Sequence, residues 1–165
     1  MHRLPAGVAA ILAALAATTA AVALGGALQP SPAKPVPAEL AASIAKAQLQ
    51  GTVASWCRGG FRPGGRPEYA VAVARERGGS YVVIGRDGEA VTLAAFSGGA
   101  DLSCYTPAEA RRLNRTIASS ETISGRITPR WNTTVVCGFV ESTSAACWQY
   151  SPSRREFVKI GDWTT

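Results

Sequence analysis

An uncharged run from Ala6 to Ala27, set just behind Met1-His2-Arg3, decides the compartment in which the rest of this chain has to fold. Val8, Ile11, Leu12, Leu15, Val22 and Leu24 stand in a background rich in alanine. A basic start, an apolar stretch of about 7 to 15 residues and small residues before a cut are the parts of a secretory signal. Val8–Ala17 supplies the apolar stretch, and Ala21-Val22-Ala23 or Gly25-Gly26-Ala27 supplies the approach to the cut, so residues 1–27 read as a signal peptide. The competing assignment is an uncleaved membrane anchor, because about 20 helical residues cross a bilayer core. Alanine contributes little to insertion, and Thr18, Thr19, Gly25 and Gly26 weaken the second half, so cleavage is favoured. Either way the positive start keeps the N-terminus inside and sends the remainder out. The chain is expected in the periplasm or outside the cell, and at the inner membrane only if the segment stays.

Export changes the meaning of Cys57, Cys104, Cys137 and Cys147. An even count outside the cytosol reads as disulfides, and four cysteines allow three connectivities. A zinc reading fails on spacing, since no C-x-x-C pair occurs. His2 is the only histidine and leaves with the signal, so the exported part has none for a Ser-His-Asp or Cys-His site, or for a histidine-ligated zinc or copper centre. No cofactor or metal is expected. Catalysis, if any, would fall to carboxylate, lysine, tyrosine or arginine side chains.

Residues 28–37, LQPSPAKPVP, hold four prolines in ten positions and read as a semi-rigid spacer. Residues 38–165 are long enough for one domain. Of the 17 basic and 11 acidic side chains only Arg3 is lost with the signal, which leaves 16 − 11 = +5. Arginine (14) far outnumbers lysine (3). That charge is ordinary for solubility, and it would also assist encounter with an anionic lipid or polymer.

Leu40, Ile44 and Ala47 recur at helical spacing over 38–50, with Pro37 at the start and Gly51 past the end. Leu49 falls off that stripe. Strands are expected at Thr52–Trp56, Tyr69–Arg75, Tyr81–Ile84 and Ala90–Phe96, the last two joined by an Asp87-Gly88 turn. The glycine-rich segment Arg58–Pro67 between the first two lacks the order of a phosphate-binding loop and is expected to be a mobile surface loop. Thr106-Pro107-Ala108-Glu109 has the form of a capping box opening a helix to Ser119.

Val135–Tyr150 reads as a hairpin. If Cys137 faces Cys147, Phe139 faces Ala145, Val140 faces Ser144, and Glu141-Ser142-Thr143 forms the turn. Val136, Val140, Ala146, Trp148 and Tyr150 then share the opposite face, so the hairpin is apolar on both sides and must be covered on both. Cys57 with Cys104 follows by elimination. Glu156–Ile160 is a last strand. The fold class is α+β: mostly antiparallel sheet of about seven or eight strands, two short helices and two disulfides.

No motif names a reaction. The reading favoured is a non-catalytic binding or accessory domain of the bacterial envelope, whose partner is an unknown envelope protein or an anionic polymer. Its candidate contact patch is Arg58, Arg62 and Arg66 of the glycine-rich loop, Arg111, Arg112 and Arg115 of the second helix, and Arg130 with Trp131. Arginine beside an exposed aromatic is a recurrent contact chemistry, although peripheral core packing is the stronger account of Trp131 and Trp163. One alternative is a basic surface for an anionic polymer or lipid; nucleic acid is disfavoured because aromatics and bases do not interleave. The other is a hydrolase built on paired carboxylates, which needs two acids in one cleft, whereas Asp87 and Glu89 fall in a turn and the rest are scattered.

Overall fold

A computed structural model describes residues 34–97, 100–140 and 143–164. The apolar N-terminal run, most of the proline-rich spacer, and Glu141 and Ser142 of the expected hairpin turn lie outside the described residues. Helix α1 (Ala38–Lys46) precedes β1 (Thr52–Gly59), β2 (Glu68–Arg75), β3 (Gly78–Ile84) and β4 (Ala90–Phe96), which pair in chain order as an antiparallel meander. Then come β5 (Leu102–Tyr105), α2 (Pro107–Ala118), β6 (Ser124–Ile127), β7 (Val135–Phe139), β8 (Ser144–Ser151) and β9 (Glu156–Thr164). Those strands form a second antiparallel sheet in the order β5-β7-β8-β9-β6. The α+β assignment stands, with nine strands among the described residues because the four-residue segments β5 and β6 both pair fully at the sheet edges.

Strand periodicity stacks these elements into four layers. On β2, Tyr69, Val71 and Val73 point to α1 and pack with Leu40, Val82 and Ile84. The intervening Ala70 and Ala72 point the other way, where Phe61, Tyr81, Val136, Ala146 and Trp148 fill the space between the sheets. Alanine suits that side because the large rings come from its neighbours. On the far face of the second sheet, Val135, Cys137, Cys147 and Ile160 pack against Ala110 and Ile117 of α2. The hairpin register is the one the cysteines imply: Cys137 opposite Cys147 and Phe139 opposite Ala145, with the Val140 N–H bonded to the Ser144 carbonyl. Its two faces are covered by the first sheet and by α2.

Both helix boundaries have local causes. Thr106 Oγ1 accepts from the Glu109 N–H at 3.2 Å and Glu109 Oε2 accepts from the Thr106 N–H at 2.7 Å, completing the capping box. Those bonds to Thr106 hold the exposed Glu109 carboxyl below its ordinary value. α1 ends earlier than the stripe suggests. Gln48, not Gly51, takes the left-handed position at φ 51°, and the N–H groups of Gln48 and Leu49 bond back to Ala45 and Ile44. This is a Schellman closure, and it swings the off-stripe Leu49 into the α1 core.

There are two disulfides, one within a sheet and one between the sheets. Cys137–Cys147 lies within the second sheet, and Cys57–Cys104 joins β1, an edge of the first sheet, to β5, an edge of the second. Such bonds persist in oxidising compartments, which fits a chain exported from the cytoplasm. No helix among the described residues is long and apolar enough to cross a membrane.

Tyr81 is the main internal link between the sheets. It is fully buried, its ring lies 4.7 Å from that of Phe96, and its hydroxyl donates to the Phe139 carbonyl at 2.6 Å. Gly138 makes room for it, since a Cβ there would sit 2.5 Å from the tyrosine Cζ. Burial pushes the phenol up to about 12. The folded state therefore holds this proton more tightly than the unfolded state, whose tyrosine ionises near 10. Stability from this group is complete below pH 10 and falls as pH rises towards 12, by about 2–3 kcal/mol. Urea unfolding at pH 9 and pH 11.5 should show about 2 kcal/mol of that fall, and Tyr81→Phe should remove most of it. An identical pH slope in Tyr81→Phe would contradict the assignment.

Candidate binding site

A glutamine in the middle of β8 has no exposure to solvent: Gln149. A polar side chain on a covered strand has to find partners, and Gln149 finds four in the loop between β6 and β7. Its Oε1 accepts from the N–H groups of Arg130 and Trp131 at 2.9 and 3.2 Å, and its Nε2 donates to the carbonyls of Trp131 and Thr133 at 2.7 and 2.8 Å. Both donors and both acceptor positions of the amide are used. The Thr128 N–H bonds to the Ile160 carbonyl at one end of the loop, and the Thr134 N–H to the Gly60 carbonyl at the other. The loop carrying Arg130 and Trp131 is thereby held in one conformation.

That loop walls a depression of about 300 Å³ with Ser151, Ser153, Arg154, Val158 and Lys159. Three cations, two hydroxyls and an indole converge there. Trp131 is half-buried, packed by one side against the α2 core as peripheral packing requires, and it still lines the depression. Arg154 reaches Glu156 only at 3.8 Å, with both side chains mostly exposed, which leaves it available. Lys159 pairs with Asp162 at 2.5 Å; Arg130 is exposed and has no ion pair among the described residues.

The other candidate arginines are not gathered here. Arg62 and Arg66 line a separate depression of about 280 Å³ beside the β3–β4 turn, together with Glu68, Arg86, Asp87 and Glu89. Glu68, one of the acids expected to be scattered, thus joins the turn residues Asp87 and Glu89 in one concave site. Glu68 is only 7% exposed, and its Oε1 meets Arg62 at 2.5 Å while Glu89 takes the other guanidinium nitrogen at 3.0 Å. Burial pushes the Glu68 carboxyl up against the pull of Arg62, and its Oε2 is sealed from solvent with no hydrogen-bond partner. An acid shut in this way is poorly placed to reach a substrate, so the cluster works as a clamp on the chain. Arg62 also lies 5.6 Å from the Tyr150 ring. Arg58 and Gly59 belong to β1 and Phe61 is fully buried between the sheets, so the glycine-rich segment is anchored there, while residues 63–67 are exposed as a surface loop.

Arg58 sits over Tyr69 at 5.8 Å, and Arg112 lies beside Glu109 on α2. Arg111 and Arg115 face a third concavity, about 470 Å³, with Asn114, Ala118, Gly125 and Arg126. Gln149, Arg154, Lys159 and Arg126 were not singled out from the sequence. Gln149 had a readable signal: it shares the Cys147 side of a strand whose two sides are both covered, and a polar residue there implies a bonding task. Among the described residues no group of three histidine, cysteine or acidic side chains converges as a metal site. Compared with family models, with curated proteins and with solved structures, the chain matches none, so its function has to be argued from its own residues.

Proposed function

We propose that this is a non-catalytic binding domain of the bacterial envelope, working in the periplasm or outside the cell, which takes an anionic ligand in the Arg130–Trp131 pocket. The carrying observation is Gln149: a fully buried amide holds by four bonds the loop that sets the Arg130 guanidinium, without an ion pair among the described residues, beside the Trp131 indole. Rigid presentation lowers the cost of ordering a contact surface on binding. The indole offers a flat apolar face, Arg130, Arg154 and Lys159 offer charge, and the exposed Ser153 offers a hydroxyl, a combination suited to an acidic glycan or an acidic protein segment.

Co-sedimentation of the natively exported protein with isolated envelope material tests this. The Arg130→Gln/Trp131→Ala double variant should bind at least about tenfold more weakly, since central aromatic and arginine contacts dominate such surfaces. Equal sedimentation of both proteins, or none of either, would refute the assignment. Gln149→Leu should weaken binding as well, by releasing the loop while keeping the Arg130 and Trp131 side chains themselves.

A further inference from the structure

Arg111, Arg115 and Arg126 converge on the groove between α2 and β6, and none of them is ion-paired among the described residues. In the depression beside the β3–β4 turn, by contrast, Arg62 meets Glu68 and Glu89, and Arg86 meets Glu39. Here no acidic side chain lines the walls.

The spacing of the three is enforced by the backbone beneath them. Asn114, which lies between the two helix arginines in sequence, accepts from the Ile127 N–H at 2.7 Å and donates to the Ile127 carbonyl. This pair of hydrogen bonds ties α2 to β6, and hence the backbone of Arg111 and Arg115 to that of Arg126. Gly125 adds to the fit. It sits at φ 133°, and a Cβ there would lie 2.6 Å from Trp163 Cα, so β6 lies close on β9 and offers no side chain at that point. Three guanidiniums around one groove repel one another, and an anion lying among them relieves that repulsion. A planar carboxylate presents its two oxygens to one guanidinium fork. A tetrahedral phosphate presents oxygens in several directions, which suits forks arriving from two sides of a groove.

We propose that the α2–β6 groove binds a linear phosphate-bearing polymer of the envelope through Arg111, Arg115 and Arg126. A chain fits better than a bilayer surface, because the site is concave and the one exposed large hydrophobic among the described residues is Val36, outside both elements. The site shares no residue with the Arg130–Trp131 pocket and does not depend on it.

End-labelled inorganic polyphosphate, titrated against the natively exported protein by fluorescence anisotropy, tests the proposal. On counterion-release scaling, three charge contacts should weaken binding roughly 20- to 40-fold between 50 and 200 mM salt. Each single Arg→Gln variant should flatten the salt slope by roughly one unit. The Arg111→Gln/Arg115→Gln/Arg126→Gln variant should keep its melting temperature, since all three side chains are exposed, and lose the binding. Four results would overturn the proposal: no binding by the wild type, undiminished binding by the triple variant, equal affinity for polyglutamate of matched length, or binding to phosphatidylglycerol vesicles but not to polyphosphate.

Discussion

Replacing Cys57 and Cys104 with alanine is expected to lower the unfolding free energy by about 4 kcal/mol. The bond closes a loop with a sequence separation of 47 residues, so it removes a large share of the conformations open to the unfolded chain. Its position adds to the effect. Cys57 stands on an edge strand of one sheet and Cys104 on an edge strand of the other, so without it these two edges are joined by side-chain packing and the 3.4 Å bond from the Ser55 hydroxyl to the Leu102 carbonyl. Cys137–Cys147 closes a much shorter loop, at a separation of 10, and its entropic contribution is about 3 kcal/mol. Urea denaturation of the wild type and the Cys57→Ala/Cys104→Ala variant, followed by circular dichroism at matched pH, measures the difference. A loss below about 1 kcal/mol would mean that the bond staples nothing the core does not already hold.

Phe61→Ala is expected to cost about 3–5 kcal/mol, the range for truncating a buried aromatic. The size of the effect is informative because of its place in the chain. Phe61 lies among four glycines, two prolines and three arginines between residues 58 and 67, a composition that argues for an exposed loop. In the fold it has no exposure and packs with Tyr81 and Trp148 in the core between the sheets. Arg66, in the same loop, is exposed and has no ion pair among the described residues; Arg66→Ala should change stability by no more than about 0.5 kcal/mol. A denaturation midpoint shifted equally by both changes, or by neither, would show that the loop is not anchored at Phe61.

These two residues mark what can and cannot be read from the chain. Local signals were legible: the capping box at Thr106 and Glu109, the Asp87-Gly88 turn, and the Cys137–Cys147 register, each set by residues within about ten positions of one another. The double covering of β7 and β8 was legible too, because a strand apolar on both sides has no other stable placement. Phe61 and Glu68 were not, since burial of the one and clamping of the other depend on strands that approach only after the sheets stack. The helix arginines could be seen as a cluster, but their third member, Arg126, joins them only through the Asn114 bond to Ile127. Arg130 and Trp131 stood out as neighbours in sequence, whereas the buried amide that makes them a fixed surface is 18 positions from Trp131.

Every site described above is carried by two stacked sheets, and those sheets are fastened by a particular pairing of sulfurs reached outside the cytoplasm. Non-reducing peptide mapping of the natively exported protein reads that pairing directly. The expected result is one crosslinked peptide pair containing Cys57 and Cys104, one containing Cys137 and Cys147, and no alkylatable thiol. Free cysteines in the native protein, or a bond between Cys57 or Cys104 and either hairpin cysteine, would contradict the fold and the sites it presents.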